Sequence, residues 1–144
     1  MSELDDFLAA TIDRQVEAEK AIHNGDAGPR LAMWSSRDPL TLFGAAVSKT
    51  GADEVRDFFE LLASSFSDCT SFRFEVIAAG VSGDLAYTVG YEHTAVSIDG
   101  VPVEPYTLRV THVYRREDGE WKVVHRHADP PPSGWTPSAD ASPA

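Results

Sequence analysis

Residues 106–129, Y-T-L-R-V-T-H-V-Y-R-R-E-D-G-E-W-K-V-V-H-R-H-A-D, constrain the fold more than any other part of the chain. β-Branched and aromatic residues alternate with polar ones on both sides of Glu117-Asp118-Gly119-Glu120. Asp-Gly is a pair that two-residue hairpin turns favour, because such turns need positive φ at both central positions. The segment therefore predicts two long antiparallel strands joined by a tight turn. It also gathers Arg109, His112, His125, Arg126 and His127 on positions that alternate between sheet faces, so about half of them must point away from the core.

Upstream, the spacing predicts helices. Residues 2–24 place Leu4, Phe7, Leu8, Ile12 and Val16 on one stripe, with Asp13, Arg14, Glu17, Glu19 and Lys20 on the wet side. Ser2 and Asp5 have the spacing of a capping box, and Asn24-Gly25 ends the helix. Residues 26–34 predict a second short helix with Pro29 in its first turn, and Leu40 to Phe43 a short strand after Asp38-Pro39. Trp34 and Asp38, at this junction, are candidates for a pocket mouth; plain core packing is the alternative for the tryptophan. A third helix starts at Thr50 or Gly51, with Val55, Phe58, Phe59, Leu62 and Phe66 on its apolar face.

From Ser71 the period drops to two. Strands are predicted over 71–79, 85–98, 103–116 and 120–128, separated by Ser82-Gly83-Asp84 and Asp99-Gly100 turns. Helices followed by an antiparallel meander define an α+β domain whose helices cover one sheet face. Residues 1–129 are expected to form that domain, and residues 130–144, rich in Pro, Ser and Ala, are expected to form a flexible tail from which Trp135 is a candidate to dock back.

The chain carries 23 acidic and 12 basic residues, a net charge of -11, with no basic stripe. Such a surface repels phosphate backbones and acidic lipids, so no nucleic-acid or membrane partner is expected. Cys69 is the single cysteine, which leaves no internal disulfide. With no leader and no apolar run long enough to span a bilayer, a cytoplasmic location is expected.

In that order the segments W-S-S-R-D-P-L-T-L-F-G (34–44), G-D-L-A-Y-T-V-G-Y (83–91) and L-R-V-T-H-V-Y-R-R-E-D-G-E-W-K-V-V-H-R-H-A-D (108–129) resemble the SnoaL-like, ketosteroid-isomerase-like members of the nuclear transport factor 2 superfamily. The last of them is also similar to the association domain of calcium/calmodulin-dependent kinase II. The resemblance implies a cone-shaped, curved antiparallel or mixed sheet wrapped around the N-terminal helices. It also implies an open pocket at the wide end and pairing through the outer sheet face, so a homodimer is expected. It does not fix a reaction, because this scaffold hosts isomerases, cyclases, hydrolases, dehydratases, binding modules and assembly domains.

By resemblance to the association domain, Arg109 or its neighbour Thr111 should face the cavity, with Tyr91 in a matching place on the preceding strand. A guanidinium held there would bind a carboxylate or enolate through two hydrogen bonds. The alternatives are an ion-paired Arg109 or one on the outer face at a dimer contact. Tyr87 and Tyr91 share a strand face and supply candidate donors, Asp38 or Glu92 candidate carboxylates, although Glu92 has opposite parity to Tyr91. His125, His127 and Asp129 share a face of a regular strand; structural histidines rather than a metal site are expected, and His127 is a candidate proton shuttle at the pocket rim. A strand bulge would swap these faces and bring Arg126 inward.

The resulting expectation is a small-molecule-binding protein acting by acid/base chemistry on an apolar carbonyl or carboxylate compound, as an isomerase, cyclase, dehydratase or hydrolase. Tyr91, His127 and Asp38 are its catalytic candidates, and Arg109, Trp34, Tyr87, Thr111 and Arg126 its ligand-binding candidates. No cofactor is expected. The alternative is a non-catalytic ligand-binding or oligomerisation domain, because no complete set of nucleophile, base and stabiliser is visible; whether the chain is an enzyme stays open.

Overall fold

A computed structural model describes residues 2–136. Helix α1 spans Glu3–Ile22 and opens with the capping box, Ser2 Oγ accepting from the Asp5 amide at 3.1 Å. α2 spans Gly28–Met33, and α3 spans Ala52–Ser65. Strands β1 (Thr41–Phe43), β2 (Ser48–Thr50), β3 (Phe66–Ser82), β4 (Leu85–Ile98), β5 (Val101–Pro102), β6 (Tyr106–Glu117) and β7 (Glu120–Asp129) form one sheet. Its order is β2-β1-β7-β6-β4-β3, with β5 on β4; β1 runs parallel to β7 and the rest pair antiparallel.

The expected α+β cone is present: a curved, unclosed mixed sheet with the helices on its concave side. Both Asp-Gly turns form as read, Asp99-Gly100 and Asp118-Gly119 having φ of 51° and 80°, and 51° and 82°. Curvature comes from bulges, because an extra residue on one strand bends it and adds twist. β3 slips register between Val76 and Ala78, opposite Gly90. A side chain at Gly90 would meet the Glu75 carbonyl oxygen, so the close approach of β3 and β4 requires glycine there.

The core joins Phe7 and Ile22 of α1, Met33 and Trp34, Leu40 and Leu42, Val55 and Phe59 of α3, and Tyr114, Trp121 and Val123 of the sheet. Trp121 anchors the last strand on this core, its ring 5.2 Å edge-on from Phe7. Several sequence readings change: α3 ends at Ser65, so Phe66 begins β3, which runs from Phe66 to Ser82 and not from 71 to 79. β2 was not foreseen, and the inward face of α1 is rotated: Phe7, Thr11, Gln15, Ala18, Glu19 and Ile22 are buried, whereas Leu4, Leu8, Ile12 and Val16 are only partly so. Thr11, Gln15 and Glu19 are tolerated inside because each has a partner: Thr11 Oγ1 donates to the Phe7 carbonyl of the same helix at 2.7 Å, Gln15 Oε1 accepts from the Tyr114 hydroxyl at 3.0 Å, and Glu19 is held by Arg30 of α2.

Candidate functional site

On β7 the residues do not keep simple alternation. Val113 pairs with His125, but Tyr114 pairs with Val123, so Val124 is an extra residue. The bulge lets both Val123 and Arg126 face inward, which a regular strand forbids. Across the sheet, Arg126 meets Glu92 of β4, whose even neighbours Ala86, Thr88 and Thr94 are also buried.

Arg126 donates from Nη1 and Nη2 to Glu92 Oε2 and Oε1 at 2.8 and 2.9 Å, a fork-to-fork pair, and from Nη1 to His112 Nε2 at 3.1 Å. A second pair stands beside it: Arg30 of α2 grips both Glu19 carboxylate oxygens, Nε to Oε2 at 2.9 Å, while its guanidinium lies 4.8 Å above the Phe59 ring. Glu19 Oε1 lies 3.9 Å from Arg126 Nη1, so the pairs form one array of four almost fully buried charges. Charges taken from water persist only when partners replace the lost solvation.

The two arginines of the array line a cavity of about 180 Å³. Its polar wall is His23, Arg30, Tyr106 and Arg126, and its apolar wall includes Leu42, Val47, Phe58, Leu62, Phe66 and Leu108. His23, the C-terminal cap of α1, lies 4.5 Å from the Phe66 ring, and its Nδ1 donates to the Glu19 carbonyl at 2.6 Å. That bond leaves Nε2 as the basic nitrogen.

Burial pushes the Glu19 carboxyl up, but the Arg30 and Arg126 charges more than offset this and it ends below the ordinary value. Glu92 behaves alike: burial raises it, and the charge and hydrogen bonds of Arg126 bring it below the ordinary value. Burial holds the His23 imidazole below its ordinary pKa against the pull of Glu19. His112 is pushed well down, by burial and then by Arg126. Burial, reinforced by Glu92 and Glu19, lifts the Tyr106 phenol to about 12. The cavity therefore combines a neutral imidazole, a protonated phenol and two guanidiniums whose carboxylates lie behind them. Such a set can accept a proton at one point and donate hydrogen bonds at others.

This cone, with its cavity between helices and concave sheet, has relatives. A model of the SnoaL-like domain matches residues 10–132. The chain belongs to the SnoaL-like family. Solved structures agree on the fold. A nuclear transport factor 2-like superfamily protein from Salmonella enterica serovar Typhimurium superposes with a TM-score of 0.69 at 15% identity, covering 91% of this chain and 92% of that one. A nuclear transport factor 2-like family protein from Streptomyces avermitilis gives 0.68 at 18% identity over 90% and 99%. A Thiobacillus denitrificans protein named for the calcium/calmodulin-dependent protein kinase type II association domain gives 0.62 at 19% over 89% and 91%. Identities this low speak for the fold alone. No match is found among curated proteins.

Within this SnoaL-like fold the expected site residues separate into three groups. Arg126 lines the cavity. Tyr91, Arg109, Thr111 and His127 do not: they lie together on the opposite, outer face, around a shallow hollow of about 320 Å³ shared with Ile77 and Asp129. The inward placement of Arg109, Thr111 and Tyr91 is thus corrected. β4 and β6 pair in regular register, Tyr91 opposite Arg109, and the even positions 92, 110, 112 and 114 take the core, so the odd ones must face out. Arg109 is half exposed and pairs with Asp129 at 2.8 and 3.0 Å. His127, also half exposed, lies 3.8 Å from Asp129, and Tyr87 is exposed on the same face. Trp135 docks back on this side, 5.1 Å from the Tyr91 ring. The remainder of the tail, 137–144, lies outside the described residues.

Trp34 and Asp38 take structural places. Trp34 is buried core, 5.1 Å edge-on from Phe59. Asp38 Oδ1 accepts from the Ala52 amide at 2.9 Å and so caps α3, where Gly51 offers no side chain. His23, Arg30 and Tyr106 were missed as cavity residues. The legible signal was a four-residue rhythm on α1, Phe7-Thr11-Gln15-Glu19, in which polar residues continue a line begun by a buried phenylalanine.

Proposed function

We propose that the chain binds a small, largely apolar molecule bearing a carbonyl or carboxylate in the inner cavity and moves a proton on it. One observation carries this: four polar side chains, His23, Arg30, Tyr106 and Arg126, line one cleft together with apolar walls. His23 Nε2 is the base, because its neutral form is favoured and Nδ1 is occupied. Tyr106 and the guanidiniums donate to the oxygen on which charge develops. Proton abstraction next to a carbonyl, the step common to isomerases, cyclases and dehydratases, suits this set.

The test is a thermal-shift screen of small apolar ketones, esters and acids, followed by turnover of the hits. Leu62→Trp, which fills the cavity, is expected to abolish the shifts. His23→Gln is expected to retain binding and lose at least about 100-fold in turnover, the usual worth of a positioned base. Shifts that survive Leu62→Trp would remove the cavity as the site. Hits that bind but never turn over in the wild type would leave the non-catalytic binding reading.

The outer face supports a separate role in pairing. Ile77, Leu85 and Tyr87 are exposed there beside the Arg109–Asp129 pair, an apolar surface with a polar margin that suits a second copy of the chain in a two-fold homodimer.

A further inference from the structure

We infer that the cavity selects an uncharged hydrogen-bond acceptor over an acid, and that Glu19 and Glu92, which do not touch the ligand space, set this preference. The inference rests on the reading of the inner cavity as the ligand site and narrows its ligand class from carbonyl or carboxylate to carbonyl.

Arg30 and Arg126 line the cavity; Glu19 and Glu92 do not. Each guanidinium is already held through two hydrogen bonds by a carboxylate on its far side. The ligand space therefore sees the positive ends of two ion-pair dipoles and, summed over the array, no net charge. His23 and His112, the titratable rings beside the array, are both held toward their neutral forms by burial, and Tyr106 keeps its proton. Lys49, 5.9 Å from the Phe58 ring of the cavity wall, is only partly buried, where solvent screens it.

A carbonyl oxygen entering this field gains the positive dipole ends and leaves the array balanced. A carboxylate brings a full charge against buried groups and meets no unpaired cation. To obtain one it must draw a guanidinium from Glu19 or Glu92 and strand that carboxylate instead. Two arginines facing a cavity would ordinarily be read as an anion site; their buried partners reverse that reading.

The experiment uses one apolar skeleton in four forms, methyl ketone, methyl ester, primary amide and carboxylate, titrated calorimetrically against the full chain at pH 7. The ketone and ester are expected to bind at least about ten-fold more tightly than the carboxylate. Glu92→Gln leaves Arg126 with uncompensated charge and is expected to move the preference toward the carboxylate by about ten-fold or more; Glu19→Gln, acting through Arg30, is an independent second variant. A carboxylate that binds the wild type as tightly as the ketone, with both lost in Leu62→Trp, overturns the charge inference while leaving the cavity as the site. An unchanged ketone-to-acid ratio in whichever Gln variant folds also overturns it. Absence of binding by all four forms, or binding that Leu62→Trp does not touch, brings down the cavity reading and this inference with it.

Discussion

A guanidinium taken out of water needs a carboxylate within hydrogen-bond reach, and Arg126 and Glu92 are so placed that removing one leaves the other buried and unpaired. Arg126→Met is expected to destabilise the fold by about 3–5 kcal/mol, because Glu92 is left buried and unpaired; Arg126→Met with Glu92→Leu is expected to recover most of that loss. Urea unfolding of the two variants checks this, and a double variant no better than the single would show that the pair is not the cause. Protonation acts on the same array. His112 sits far below its ordinary pKa of 6.5 in the fold, through burial first and Arg126 second. The unfolded chain therefore binds the extra proton at higher pH than the folded chain does. Its contribution is complete above about 6.5 and is lost as pH falls toward the folded pKa. His23 acts in the same sense, and Glu19 and Glu92 extend the loss below their ordinary value of 4.5. Unfolding free energies measured between pH 7 and pH 5 should fall, and His112→Gln should flatten that fall.

At the scale of elements, local chemistry carried a good deal. Period-two runs ended by Asp-Gly gave β4 to the residue and β7 to within one, and β6 with its start three residues early, since a type of turn and a side-chain period are both local properties. The faces were harder. The Val124 bulge reverses inside and outside partway along β7, and the choice of face on β4 and β6 depends on which side α1 covers. Asp38 illustrates the difference between a polar residue near a junction and a catalytic one. Asp38→Ala is expected to cost about 0.5–2 kcal/mol by uncapping α3 and to leave ligand affinity unchanged, which thermal denaturation with and without a cavity ligand will show. A loss of turnover greater than the loss of folded protein would return Asp38 to the site.

For the whole molecule, the sheet has two faces of different character: a concave face holding an ion-paired array beside a cavity, and a convex face exposing apolar residues. Tyr87→Lys together with Ile77→Lys places like charges on the convex face and is expected to shift sedimentation from dimer to monomer without changing cavity binding. A wild-type chain that sediments as a monomer at all concentrations would remove the pairing role. Among the described residues no helix is long and apolar enough to cross a membrane.

Sequence by itself determined the helices, most strands, the tight turns, the α+β class and the kinship of the chain, because propensity, periodicity and turn chemistry act over a few neighbouring residues. Only the tertiary structure decided which side of each strand meets the helices, and so which of the arginines and histidines of β6 and β7 lie inside. Glu19 and Arg30 come from consecutive helices, Glu92 and Arg126 from strands far along the chain, and the four neutralise one another only once the helices have packed on the sheet.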